Sequence, residues 1–140
     1  MPGEERAALR SAALGVPTLL LHDFVRDTAP LLDRSSAVVA MGGYGTTCEV
    51  LASGLPALVV PRTRPRREQL LRASLLAGRR LVDLVHPDDL GPEAVAGWVR
   101  EVSGGRRRAG TYGVDLGGLA RVRDLAAAVL EGRRPVHVAV

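Results

Sequence analysis

The sequence contains no lysine, very few aromatic residues and a single cysteine. Aromatic residues make up 3% of the 140 residues, so few rings are present on which nucleic-acid bases could stack. The lone Cys48 excludes an internal disulfide, and its place on a predicted helix favours inert packing over nucleophilic chemistry. No apolar run approaches the roughly 18 residues of a membrane-spanning helix, and the first residues lack a signal-peptide pattern. We therefore expect a cytoplasmic chain.

Positive charge comes only from arginine. The 19 arginines outnumber the acidic residues and give a formal net charge of +4. Such a charge is typical of proteins that bind polyanions, but it is also typical of chains with a composition biased towards arginine. A small basic nucleic-acid binder is therefore the weaker alternative, because the second feature of such proteins, aromatic side chains, is scarce.

The most informative stretch is a short apolar run that ends in a cluster of glycines. Residues 37–41 predict a buried strand, and Gly42, Gly43 and Gly45 end it. Thr46 and Glu49 then have the spacing of a capping box, which predicts a helix over 46–53 with Cys48 on its buried face. A helix that opens on glycines presents free backbone N–H groups and the positive end of its dipole, which suits phosphate. The alternative is a tight turn without a ligand.

Strand and helix patterns alternate along the rest of the chain. The patterns predict strands at 16–21, 37–41, 57–60 and 81–84, with helices at 3–14, 27–32, 46–53, 65–78, from 92 onward and within 111–132, the last capped by Asp115. This alternation predicts one α/β domain over residues 1–140, a Rossmann-like parallel sheet of about four strands, with 133–140 as a tail. Ligands bind beyond the carboxyl ends of such strands, where Gly42, Arg62 and the pair His22 and Asp23 are expected.

Three segments in a fixed order resemble the donor-binding C-terminal domain of GT-B glycosyltransferases. They are Met41 to Ala57, Val60 with Pro61, and Arg67 to Gln69. Family 28 and a related group of predicted bacterial glycosyltransferases are the most similar, and the resemblance covers about residues 16–100. It implies the donor half of an inverting, metal-independent hexosyltransferase that needs no cofactor and binds a nucleotide-diphosphate sugar, with a UDP-sugar favoured.

The resemblance also implies roles for individual residues. The nucleotide diphosphate would lie against the start of the predicted helix, at Gly42, Gly43, Tyr44, Thr46 and Thr47. Glu49 would bind the ribose hydroxyls, although a capping role for this residue stays open. Glu68 and Gln69 would face the donor sugar, yet acidic residues are ordinary in a first helical turn. Val25 would read the base. The arginines at 62, 64, 66 and 67 form a solvated loop in the simplest interpretation, with Arg62 as the candidate to face phosphate.

The chain departs from the pattern of these families in several ways. Their members carry about two further strands and a whole acceptor-binding domain before the point where this sequence begins. Because the catalytic base belongs to that other half, no catalytic residue is assigned. Gly45 and Glu68 stand where the resembling proteins often carry asparagine and glutamine, so the identity of the sugar does not carry over.

The strands at 16–21 and 37–41 would each lack a neighbour in such a sheet. Either they would pair with each other, or a partner would fill the gap, or the natural chain is longer than this sequence. We expect the last of these. The alternative function is a non-catalytic donor-binding subunit that needs an acceptor-domain partner chain and reaches a membrane only peripherally, through that partner. No nucleic-acid partner is expected.

Overall fold

The computed structural model describes residues 3–105 and 114–132. By internal contacts the chain divides into two compact units, Met1–Pro30 and Leu31–Val140. The elements in order are α1 (Gly3–Leu14), α2 (Ala29–Leu32), β1 (Val38–Ala40), α3 (Tyr44–Ser53), β2 (Ala57–Val59), α4 (Glu68–Gly78), β3 (Asp83–Leu84), a 3-10 turn (Pro87–Asp89), α5 (Pro92–Ser103) and α6 (Gly118–Leu130).

The second unit contains a three-stranded parallel sheet in the order β1-β2-β3. Val39 is opposite Leu58, and Val59 is opposite Leu84. The central strand β2 is the most buried, with Leu58 only 1% exposed, because it has a neighbour on each edge. The predicted α/β parallel sheet is therefore confirmed, and its last strand is shorter than the expected 81–84.

Two helices pack against one side of this sheet. Val50 of α3 and Ala73 of α4 form a buried cluster with Ala57 and Val59 of β2 and with Val82. Gly54 ends α3 in the left-handed conformation at φ 66°, as its position predicts. Pro92 begins α5, also as predicted. The packing of α3 on β2 fixes the start of α3 beside the carboxyl end of β1.

The predicted strand at 16–21 is wrong. Pro17 and Thr18 form a turn, and residues 19–21 have no regular structure; Val16 N–H donates to the carbonyl of Ala13, and Leu19 N–H donates to the carbonyl of Val16. An apolar run becomes a strand only where a neighbour accepts its backbone hydrogen bonds, and no strand of the described sheet does so here. The proposed pairing of this run with β1 is therefore not found. His22 and Asp23 accordingly follow an irregular segment and not a strand.

Several predicted helix starts are also wrong. Helix α3 begins at Tyr44 with Gly43 as its N-cap and no side-chain cap, so Thr46 and Glu49 form no capping box. Its buried residues are Thr47 and Val50, whereas Cys48 is only partly buried. Helix α4 begins at Glu68, after the predicted Pro65.

Helix α6 has Gly117 as its N-cap, and Asp115 instead accepts a hydrogen bond of 2.8 Å from the Gly117 N–H in the preceding turn. The predicted tail at 133–140 and the arginines at 106–108 lie outside the described residues. Across residues 3–105 and 114–132, no helix combines the length and apolar character that crossing a membrane demands.

Candidate functional site

The glycine loop, residues 42 and 43, joins the end of β1 to the start of α3. Gly42 has φ 72°, a conformation that side chains rarely adopt. A Cβ atom at this position would lie 2.7 Å from Cγ1 of Val59 in the core of the sheet. Only glycine therefore lets the chain cross closely over β2 and enter α3.

No side-chain hydrogen bond caps the amino end of α3. Thr47 N–H donates to the carbonyl of Gly43 at 2.8 Å, which is the first hydrogen bond of the helix. The N–H groups of Tyr44, Gly45 and Thr46 precede that bond, and no side chain caps the helix at Gly43. Cβ atoms at Gly43 and Gly45 would meet nothing within 4 Å. The amides and the positive end of the helix dipole are thus open to an anion.

Arg72 reaches this loop from α4. Its Nη1 donates to the carbonyl of Gly42 at 3.3 Å, and its Nη2 pairs with the carboxylate of Glu68, one turn earlier on α4. The guanidinium carbon lies 5.5 Å from the centre of the Tyr44 ring, in cation–π range. Arg72 is not among the site residues that the sequence predicts. The i,i+4 spacing of Glu68 and Arg72 predicts their pairing, but no local signal indicates the contact with a loop 30 residues away.

The predicted site residues on α3 fall on two faces. Tyr44 is 73% exposed, and Thr46 and Glu49 are exposed as well. Thr47 is buried beneath the loop, and its N–H is already bonded to Gly43. Glu49 is the sixth residue of α3, too far along the helix to cap it. Glu49 is exposed, so a role in ligand binding stays a prediction.

The other predicted pair, Glu68 and Gln69, opens α4. Glu68 has a side chain that is 68% exposed and is held by Arg72. The Oε1 atom of Gln69 accepts a hydrogen bond of 3.1 Å from the backbone N–H of Arg62. Gln69 therefore fixes the loop that follows β2. The hydrogen bond uses its side-chain oxygen and not its amide NH2 group. The side chain of Arg62 is exposed.

A cleft of about 1100 Å³ lies at the carboxyl ends of the strands. It is lined by apolar residues and by a few charged ones, among them Val39, Met41, Val60, Arg62, Arg64 and Asp88. Because Ala40 and Val59 are register partners, the loops that follow β1 and β2 leave the sheet at the same edge. Val25 lies in the first unit and is partly buried, and its part in reading a base stays a prediction.

Residues 6–104 match the model of the glycosyltransferase family 28 C-terminal domain. The chain belongs to this family. The match spans β1, the glycine loop, α3, α4 and α5, so the described site falls within the family 28 domain. The family predicted from the sequence is confirmed.

Several bacterial enzymes are similar to this family 28 chain, and all carry the same name, UDP-N-acetylglucosamine–N-acetylmuramyl-(pentapeptide) pyrophosphoryl-undecaprenol N-acetylglucosamine transferase. The Actinobacillus pleuropneumoniae serotype 5b enzyme is 29% identical over 86 residues, covering 61% of this chain and 24% of the enzyme. The Corynebacterium efficiens enzyme is 33% identical over 81 residues, covering 58% of this chain and 22% of the enzyme. The Proteus mirabilis enzyme is 34% identical over 74 residues, covering 53% of this chain and 21% of the enzyme. The matched region thus spans less than a quarter of these relatives.

Proposed function

We propose that residues 1–140 act as one donor-binding domain of a glycosyltransferase and bind a UDP-sugar. The carrying observation is the uncapped amino end of α3 behind the glycine loop of a family 28 domain. The names of the relatives contain UDP-N-acetylglucosamine, which supports uracil as the base. A diphosphate carries the charge that this end of a helix favours.

In this proposal different residues of the site contact different parts of the donor. The diphosphate lies over Gly42, Gly43, Tyr44, Thr46 and Thr47, with Arg62 beside it, and Glu49 accepts hydrogen bonds from the ribose hydroxyls. Glu68 and Gln69 face the sugar, and Val25 contacts the base. The exposure of Tyr44, Thr46, Glu49 and Glu68 suits these roles. Thr47 is buried and its N–H is bonded to the Gly43 carbonyl, so it contributes by holding the start of α3 under the loop.

The proposed mechanism is electrostatic. The acceptor hydroxyl forms a bond to the anomeric carbon with inversion, and the bond from that carbon to the diphosphate oxygen breaks. Negative charge then develops on the leaving UDP. The amides of residues 44–46 and the dipole of α3 stabilise that charge without reorganising. The proton of the acceptor hydroxyl passes to a base in an acceptor-binding half, supplied by a partner chain or by a longer form of the protein.

The proposal is tested by thermal unfolding of the 140-residue chain with UDP, GDP, dTDP or ADP. A ligand at ten times its dissociation constant, measured by calorimetry, should raise the free energy of unfolding by about 1.4 kcal/mol. We expect UDP to raise the midpoint most. Uridine, which lacks the diphosphate, is the matched control and should leave the midpoint unchanged. A chain that unfolds at the same temperature with every nucleotide would contradict the proposal.

Glu49→Ala should weaken UDP binding about tenfold. The physical reason is the loss of a charge-assisted hydrogen bond to the ribose, worth about 1.5 kcal/mol. Isothermal titration calorimetry measures the effect. Glu93→Ala, which removes an exposed glutamate from the first turn of α5, serves as the control and should bind UDP like the unsubstituted chain. Equal affinities for Glu49→Ala and the control would remove Glu49 from the site.

A further inference from the structure

Arg72 is the described side chain that connects the two parts of the proposed donor site. It contacts the carbonyl of Gly42 in the glycine loop and the ring of Tyr44 at the start of α3. On its own helix it pairs with Glu68. The loop belongs to the diphosphate end of the proposed site, and Glu68 belongs to the sugar end. One guanidinium therefore touches both ends.

The contacts of Arg72 use the specific shape of arginine. The planar guanidinium donates through two different nitrogens, Nη1 to Gly42 and Nη2 to Glu68, while it lies near the face of the Tyr44 ring. A lysine has one ammonium group and cannot reproduce this fork. The side chain of Arg72 is 23% exposed, less than that of Glu68, so packing restrains it. These features describe a side chain that is held in one arrangement.

Arg72 adds positive charge near the amino end of α3. A cation beside the amino end of α3 adds to the positive end of that dipole. Glu68 offsets part of the charge, and a bound diphosphate would offset the remainder.

We propose that Arg72 is a positioning residue of the donor site, an inference that rests on the proposed function. Arg72 holds the Gly42 carbonyl, so that the loop amides keep their direction towards the diphosphate. It also holds the carboxylate of Glu68 in place for the sugar. UDP uses only the first of these effects, whereas a UDP-sugar uses both. The loss of Arg72 should therefore weaken a UDP-sugar more than it weakens UDP.

The test compares binding of UDP and of UDP-N-acetylglucosamine by calorimetry. For Arg72→Ala we expect about tenfold weaker binding of the UDP-sugar and about threefold weaker binding of UDP. The total loss is about that of one charge-assisted hydrogen bond, divided between the diphosphate end and the sugar end of the site. Arg72→Lys should bind the UDP-sugar almost as weakly as Arg72→Ala. The matched control is Arg79→Ala at the carboxyl end of α4, where an exposed arginine is removed, and it should bind both ligands normally.

The outcomes separate the inference from the function on which it rests. Binding of neither ligand by the unsubstituted chain would overturn both. Normal binding by the unsubstituted chain, with full affinity retained in Arg72→Lys, would overturn positioning and leave only a role for charge. Equal losses of UDP and UDP-sugar, accompanied by a lowered unfolding midpoint, would reduce Arg72 to a structural contact.

A double-mutant cycle with Glu68 tests the route of the effect. If Arg72 acts on the sugar through Glu68, removing Arg72 from the Glu68→Ala variant should weaken UDP and the UDP-sugar by the same factor. The extra loss for the UDP-sugar should thus disappear. An extra loss that persists without Glu68 would contradict the proposed connection, because Arg72 would then contact the sugar itself.

Discussion

Gly42→Ala is expected to lower the free energy of unfolding by about 3 kcal/mol. Two costs add at this position. The left-handed conformation at φ 72° costs about 1 to 2 kcal/mol for a residue with a Cβ. The new methyl group would also lie 2.7 Å from Val59, which is 5% exposed and packed in the core, and overpacking costs about 1 to 3 kcal/mol. Urea unfolding followed by circular dichroism measures the change.

Gly43→Ala is the matched control for that experiment. The neighbouring glycine has φ −57° and open space around the position of a Cβ. Its replacement should cost less than about 1 kcal/mol, since alanine is only a poorer N-cap. If Gly42→Ala proved as stable as Gly43→Ala, Val59 would have moved aside, and the sheet would not dictate the path of the loop.

Gly43→Ala should nevertheless weaken UDP binding by about a hundredfold. The open space at Gly43 lies beside the uncapped amides of α3, where the proposed diphosphate comes close to the backbone. A methyl group there would keep the phosphate out of hydrogen-bonding distance of those amides. Losing contacts between N–H groups and a charged phosphate costs about 2.7 kcal/mol, which corresponds to that factor. Calorimetric titration with UDP gives the affinity, and the unfolding midpoint shows that the fold is intact.

Gly45→Ala distinguishes a specific block from a general effect on the loop. Gly45 is the second residue of α3, and its Cβ would also meet open space. Alanine favours helix over glycine, so this variant should gain about 0.5 kcal/mol of stability. Gly45 contributes only its backbone N–H to the proposed diphosphate site, and alanine keeps that group, so the UDP affinity should stay close to that of the unsubstituted chain. A full affinity in Gly43→Ala would place the diphosphate away from the glycine loop.

These two predictions assign different tasks to neighbouring glycines. Gly42 is required by the packing of β1 and α3 over β2, whereas nothing in the described protein requires a glycine at 43. In the sequence the two residues are indistinguishable. The open space at Gly43 lies at the uncapped amino end of α3, where the proposal puts the diphosphate.

Much of the local structure was predictable from the sequence. The apolar runs around Val39 and Leu58 became strands, because each has a neighbour and a glycine or proline that ends it. The run at 16–21 is also apolar, but it contains Pro17 and did not become a strand, because proline lacks an N–H for the ladder and because pairing depends on distant residues that a local pattern does not contain. The capping box failed for a similar reason. Helix α3, whose Val50 packs against β2, starts at Tyr44, two residues before Thr46. Thr46 is therefore inside the helix and not at its cap.

By itself, the sequence determined the family 28 membership, the parallel α/β class and the glycine loop, since these depend on short motifs in a fixed order. The tertiary structure decided which glycine the fold needs, that Glu49 does not cap its helix, and that Arg72 joins Gly42 to Glu68. The physical reason is the distance along the chain over which each interaction acts. Periodicity and capping act over a few residues, whereas the contacts of Val59 with Gly42 and of Arg72 with the loop exist only after the sheet has brought distant segments together.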